Sequence, residues 1–194
     1  MLNISDFPWA ECNMVENRNL YVSDNLALKR NKRDTGVMRY EFELVTIEMD
    51  FQQGREIKAK LSRATTDSMS FVHPRWSYSS GTIPGVPITV AGNQAAGVDT
   101  ISVYSAGIYQ LKAGDFLQPS NDTKVYEVAE DTNLLNGTQS VKLTSILRNP
   151  LVAGNQMTVD GVAFFLESDG IIEVATAATD GSDIQLTLNA VEKL

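Results

Sequence analysis

The stretch Leu111-Lys112-Ala113-Gly114-Asp115-Phe116-Leu117-Gln118, followed by Lys124-Val125-Tyr126-Glu127-Val128, decides the fold class of this chain. Gly114-Asp115 is a turn signal set against an apolar run, and Val125, Tyr126 and Val128 read as a strand beyond the polar turn Ser120-Asn121-Asp122-Thr123. After Asn136-Gly137-Thr138 comes a third segment, Val141-Lys142-Leu143-Thr144, which alternates apolar with polar. Three short strands separated by turns make a β-meander. Its residues by themselves describe a mostly β domain and no activity.

Working outward, the meander is preceded by Ile88 to Val90 and by the alternating strand Thr100-Ile101-Ser102-Val103-Tyr104. It is followed by Ile146-Leu147-Arg148-Asn149-Pro150-Leu151, where Pro150 forbids a long helix, and by Met157 to Asp160 and Val162 to Leu166, hinged at Gly161. The stretch Ser79-Ser80-Gly81-Thr82-Ile83-Pro84-Gly85-Val86-Pro87 is linker-like, which places a module boundary near residue 80. Beyond the module, Gly170 to Thr176 and Ile184 to Leu188 flank Asp180-Gly181-Ser182 as a hairpin in need of a sheet. The first 80 residues are the nearest sheet, so residues 81–167 are expected to be an inserted β module, with 168–194 completing the unit formed by 1–80.

In that first unit, residues 7–25 show no clear period and read as an extended arm carrying Trp9. Leu26 and Leu28 begin a strand, and Asp34-Thr35-Gly36 reads as a hairpin turn into a second one. There Tyr40, Phe42 and Leu44 alternate with Glu41 and Glu43, aromatics on one face and carboxylates on the wet one. Asp50 followed by Gln53 is a capping-box arrangement for a helix running to about Arg63, with Phe51, Gly54, Lys58 and Leu61 on one stripe and Ile57 beside it. Phe71 to Trp76 is a short strand that Pro74 confines to an edge or an end. The expected class is therefore mainly β (α+β), with one packed helix. Trp9, Phe51 and Trp76 are the candidate interface residues, although an apolar side chain near a terminus more often packs on its own chain.

Charge is uneven. Of the formal −8, residues 1–97 hold 11 Lys+Arg and 11 Asp+Glu, while residues 98–194 hold 5 and 13. An acidic second half disfavours sequence-specific nucleic-acid binding. The basic run Lys29-Arg30-Asn31-Lys32-Arg33 reads first as a solvated loop. Cys12 is the only cysteine, so no internal disulfide can form. The start Met1-Leu2-Asn3-Ile4-Ser5-Asp6 lacks a basic region and an apolar run, and Val162 to Leu166 is too short to span a bilayer, so neither a signal peptide nor a membrane segment is expected.

Enzyme chemistry finds little to stand on. His73 is the only histidine, whereas a zinc site needs three or four ligands and a Ser-His-Asp set cannot be argued from one His and scattered hydroxyls. Asp115 with Glu127 is the sole carboxylate couple worth naming. No catalytic, metal or cofactor residues are assigned, and no cofactor is expected. Trp76, Tyr78 and Tyr104 are the residues a carbohydrate-stacking platform would use, which keeps a carbohydrate-binding β-module as a reading from another class.

The run from Tyr78 to Leu166 resembles a module of tailed-phage tail-tip proteins of the distal-tail (Dit-like) type and is similar to gene-transfer-agent tail-tip proteins. The matching residues are Leu111-Lys112-Ala113-Gly114-Asp115-Phe116, Val125-Tyr126-Glu127-Val128 to Asp131, Gly137, Val141 to Thr144, Leu147-Arg148-Asn149-Pro150, Gly154 and Val159. Arg39 to Trp76 matches the segment that precedes the module in those proteins: a strand, a helix of about four turns, and an aromatic-bearing strand. Two departures stand out, a proline after Arg148 where the pattern has one before the Leu-Arg pair, and the added C-terminal hairpin.

The resemblance implies a tail-tube-like β-sandwich with one packed helix and an inserted small β-barrel or meander, in which Gly114, Asp115, Tyr126, Arg148 and Pro150 are structural motif residues. It implies a non-enzymatic virion protein, made in the host cytoplasm, that forms a homohexameric ring at the distal end of a phage tail or baseplate. The implied partners are other copies of itself, the tail-tube protein, and baseplate hub or tail-fibre proteins. Other minor tail proteins (tube, terminator or adaptor) share the sheet-plus-helix core and form the alternative. Acidic residues among 115–131 would then line a lumen that DNA passes.

Overall fold

The computed structural model describes residues 1–24, 30–64, 68–176 and 183–193. The chain is mainly β, with one helix among these residues. In order, the elements are β1 (Leu2–Asn3), β2 (Trp9–Asp24), β3 (Arg30–Thr46), β4 (Met49–Asp50), α1 (Phe51–Ala64) and β5 (Met69–Val72). Then come β6 (Ile88–Val90), β7 (Thr100–Tyr109), β8 (Phe116–Pro119), β9 (Tyr126–Glu127), β10 (Leu135–Lys142) and β11 (Gln156–Thr158), and finally β12 (Ala163–Thr176) and β13 (Asp183–Glu192). Two compact units result: Met1–Val15, Tyr40–His73 and Ala163–Leu194 form the first, and Glu16–Arg39 with Pro74–Val162 the second.

The first unit is built on a sheet of order β1-β5-β12-β13-β3-β2, with β4 also paired to β13. Period-two alternation buries Tyr40, Phe42 and Leu44 of β3 and Ile184, Leu186, Leu188 and Ala190 of β13 on one face. Leu188 pairs with Leu44, Ala190 with Phe42, and Phe164 with Phe71. Phe42 sits edge-on to both Phe71 (5.8 Å) and Phe164 (4.9 Å), and Tyr40 edge-on to Phe164 (5.6 Å), the tilted geometry that ring quadrupoles favour. Helix α1 covers this face. Asp50 caps it as expected, its Oδ1 accepting from the Gln53 amide at 3.0 Å.

The second unit carries a six-stranded sheet of order β10-β7-β6-β11-β8-β9, antiparallel at every junction. Its two ends meet. Val128 bridges Leu143, the Thr144 amide donates to the Glu127 carbonyl at 2.9 Å and the Ala129 amide to that of Lys142 at 2.8 Å, so the sheet curls back on itself as a small barrel. Its interior is filled by Ile101, Val103, Tyr109, Leu111, Tyr126 and Val141 among others.

Several expectations are corrected. Trp9–Asp24 is strand β2 at the sheet edge rather than a patternless arm, because pairing with β3 satisfies its backbone without any apolar alternation. Asp34-Thr35-Gly36 does not reverse the chain but lies inside β3, with Gly36 at φ +74°. On α1 the buried stripe is Gly54, Ile57, Leu61 and Ala64, while Phe51 and Lys58 are exposed. The unit boundaries fall at His73/Pro74 and Val162/Ala163 instead of at 80/81 and 167/168, and Glu16–Arg39 groups with the second unit. Val162 to Leu166 does not close the module: Ala163–Thr176 is one strand, whose first residues pair with β5. Leu26, Leu28, Lys29 and the Asp180-Gly181-Ser182 turn lie outside the described residues.

Gly54 is required by packing. A Cβ there would stand 2.2 Å from Ile184 Cδ1 and 2.4 Å from its Cγ1. Alanine would contribute about 1 kcal/mol of helix propensity, against roughly 1–3 kcal/mol for overpacking a filled core. Because that overlap is deep, Gly54→Ala is expected to destabilise the protein by about 1–2 kcal/mol, read as a lower denaturation midpoint in urea.

Candidate functional site

The motif residues converge on two buried aspartates in the second unit. Asp115 follows Gly114, whose φ of +90° lets the chain turn after Lys112. The turn is closed by the Asp115 amide donating to the Lys112 carbonyl at 3.0 Å, and it is pinned by the Gly114 amide donating to the Val128 carbonyl at 2.8 Å. The side chain points inward and is 2% exposed. Oδ1 accepts from the Ser80 amide (2.7 Å) and hydroxyl (2.8 Å), and Oδ2 from the Ser79 hydroxyl (2.7 Å) and the Lys112 amide (2.8 Å). Burial pushes this carboxyl up, but the donors at Lys112, Ser79 and Ser80 together outweigh it and hold the carboxyl below its ordinary value.

This arrangement changes the reading of Ser79-Ser80-Gly81. The stretch is a strap tied to the barrel, not a free linker: Thr82 and Gln110 exchange backbone hydrogen bonds of 2.9 and 3.0 Å. Gly81 is needed there, since a Cβ would fall 2.0 Å from the Gln110 carbonyl oxygen.

The second aspartate, Asp122, was legible in the sequence only as part of a polar turn. Its side chain is fully buried and ion-paired with the Arg148 guanidinium, whose Nη2 also reaches Thr123 Oγ1 at 3.1 Å. The Tyr126 hydroxyl donates to Asp122 Oδ2 at 3.0 Å and accepts from the Arg148 amide, also at 3.0 Å. Pro150 takes part through its carbonyl, which accepts from Asn121 Nδ2 at 3.2 Å. Burial raises the Tyr126 phenol well above its ordinary value, with Asp122 adding to the effect, and burial pushes Tyr109 up to about 12. The second knot thus ties the β8–β9 turn to the segment after β10.

Thr132 was also missed. Its hydroxyl accepts from the Leu111 amide at 2.9 Å, inside the loop that follows β9. A short polar side chain in a loop gives no sequence signal of burial.

The other sequence candidates scatter. Trp9 is half-buried on its own segment, donating from Nε1 to the Ile4 carbonyl at 2.7 Å, with Phe7 6.0 Å away. Phe51 and Trp76 are about half exposed, and the Arg55 guanidinium lies 5.6 Å from the Phe51 ring centre. His73 is buried, with Nε2 3.2 Å from the Cys12 carbonyl. Asp115 and Glu127 form no facing couple, because both Asp115 oxygens are taken by donors. Nor does the 115–131 segment present a continuous acidic wall: Asp115 and Asp122 are inside the unit, and Asp131 is bonded to Lys112 and the Ala113 amide. No protein-family model matches this chain, and no curated protein matches its sequence.

Removing the Asp115 carboxylate takes the acceptor from two part-buried backbone donors and two hydroxyls. Asp115→Ala is expected to destabilise the protein by about 3–5 kcal/mol in chemical denaturation, with Asp115→Asn falling between it and wild type. The depressed carboxyl and raised phenols also set the pH dependence. The Asp115 contribution is present above the unfolded carboxyl value of about 3.9 and is lost as pH falls through its lower folded value. The Tyr109 contribution is present below about 10 and is lost as pH rises through about 12. Denaturation midpoints should therefore decline at both ends, and Tyr109→Phe should flatten the alkaline limb.

Proposed function

We propose that this chain is a non-enzymatic structural subunit of a bacteriophage tail, forming a ring at the distal end of the tube or baseplate that connects the tube to hub or fibres. The observation that carries this reading is the use made of the motif residues on which the distal-tail resemblance rests. Gly114, Asp115, Tyr126, Arg148 and Pro150 all go into holding a small barrel together. A motif spent on the frame suits a family whose members share a scaffold and assemble, and whose outer surfaces do the work.

The strand edges support the same reading. β2 is a 16-residue edge strand, and β1 and β5 bring a short parallel pair to the far edge of that sheet. Ring subunits need different surfaces that meet by rotation, and unpaired edges supply them. Another minor tail position, such as tube, terminator or adaptor, would use the same features. A carbohydrate-binding module is favoured by one observation only, the half-exposed rings of Trp76, Tyr78 and Tyr104, and a blank glycan array would remove it.

Electron microscopy of the purified chain, with its solution mass measured alongside, tests the proposal. Closed rings of about six copies are the expected result. A chain that stays monomeric alone and when mixed with phage tail tubes would overturn it.

A further inference from the structure

The sheet of the first unit is covered by α1 on one face only. On the other face the alternate residues of the same strands form a groove of about 510 Å³ lined by Glu41 and Glu43 of β3, Glu167 of β12, Asn189 and Val191 of β13, and Val15 of β2. Pairing puts Glu41 opposite Val191 and Val191 opposite Glu167, so two carboxylates stand in one row across three strands, with Glu43 beside Asn189 in the next. Lys193 reaches Glu167 at 2.9 Å, and Asn13 reaches Glu43 at 3.1 Å. The lining carries three carboxylates and no basic residue, between aliphatic walls.

The complementary surface is on the same unit. α1 has no acidic residue in its first turn, and its outward residues include Arg55, Lys58, Lys60 and Arg63 against the single acid Glu56, all exposed. A helix of net positive charge is conspicuous in a chain of formal charge −8. The spacings agree: Glu41 and Glu167 are two strand spacings apart, ~10 Å, and Arg55 to Arg63 spans eight residues of helix, ~12 Å. Long basic side chains would lay their methylenes on Val15 and Val191 while their charged ends reach the carboxylates.

We infer that the acidic sheet groove of one copy receives the basic outer face of α1 from a second copy. The inference rests on the ring reading above and names its junction. Because groove and helix lie on opposite faces of one sheet, each copy offers one of each, and the contact is head-to-tail: it propagates to a closed ring or a filament and never saturates as a two-fold dimer. The junction is held largely by charge at partly exposed sites, so added salt weakens it.

Two double variants of the full chain separate the halves, R55E/K58E on the helix and E41K/E43K in the groove. Each is expected to weaken self-association by roughly tenfold or more in light scattering, with an unchanged circular dichroism spectrum. Mixed in equal amounts, they offer two complementary junctions: the native one between the helix of the groove variant and the groove of the helix variant, and a charge-reversed one between the two altered surfaces. The mixture should therefore recover assembly beyond two copies, with the two variants alternating, which also shows that both variants fold. Carrying all four substitutions on one chain should restore assembly. Rings that persist in both variants would overturn this junction while leaving the ring reading in place. Open filaments that depend on these residues would support the junction and remove the ring. A mixture that stays monomeric would overturn the head-to-tail pairing.

Discussion

The Asp115 carboxylate is the constraint on which the second unit depends. A buried charge is costly unless donors surround it, and here four donors come from two separate pieces of chain. Two of them, the amides of Ser80 and Lys112, are backbone groups that the carboxylate satisfies in return. The strap at Ser79–Gly81 and the turn at Lys112–Asp115 therefore fix each other. That exchange adds to the Thr82–Gln110 backbone pairing in holding the entering chain against the barrel.

Asp122 plays a related part with different chemistry. Its pairing with Arg148 is nearly dry on the acid's side and about one-third exposed on the guanidinium's. Such pairs contribute little net stability relative to apolar packing, yet breaking one partner is expensive. Their value is in position: Tyr126, Asp122 and the Arg148 amide lock the β8–β9 turn to the chain leaving β10, next to the Val128–Leu143 bridge that brings the ends of the sheet together. Arg148 Nη1, Thr144 Oγ1 and Ser145 Oγ lie buried close by in sequence without a hydrogen-bond partner, so this corner is less fully satisfied than the Asp115 knot.

The first unit solves a different problem. Its aromatic cluster and α1 fill one face of the sheet, and the opposite face is left to a mixture of carboxylates and valines. A sheet with one dry and one half-wet face is stable alone, but the half-wet face is also the natural place for a neighbour.

The sequence alone determined the class. Alternation at Tyr40, Phe42 and Leu44, the Asp50 cap, the Gly114-Asp115 turn and the spacing of the meander are local patterns, and local patterns are set by backbone sterics and side-chain period. It also singled out Gly114, Asp115, Tyr126 and Arg148 as belonging together, through a resemblance and not through any visible chemistry. Tertiary structure alone decided the rest. That Ser79 and Ser80 grip Asp115, that Asp122 is buried against Arg148, and that the first residues of Ala163–Thr176 pair with β5 all depend on partners 26 residues or more away in the chain. Serine, glycine and aspartate carry the same local signals in a solvated turn as in a buried knot. Only the long-range pairing that removes water from them makes the difference.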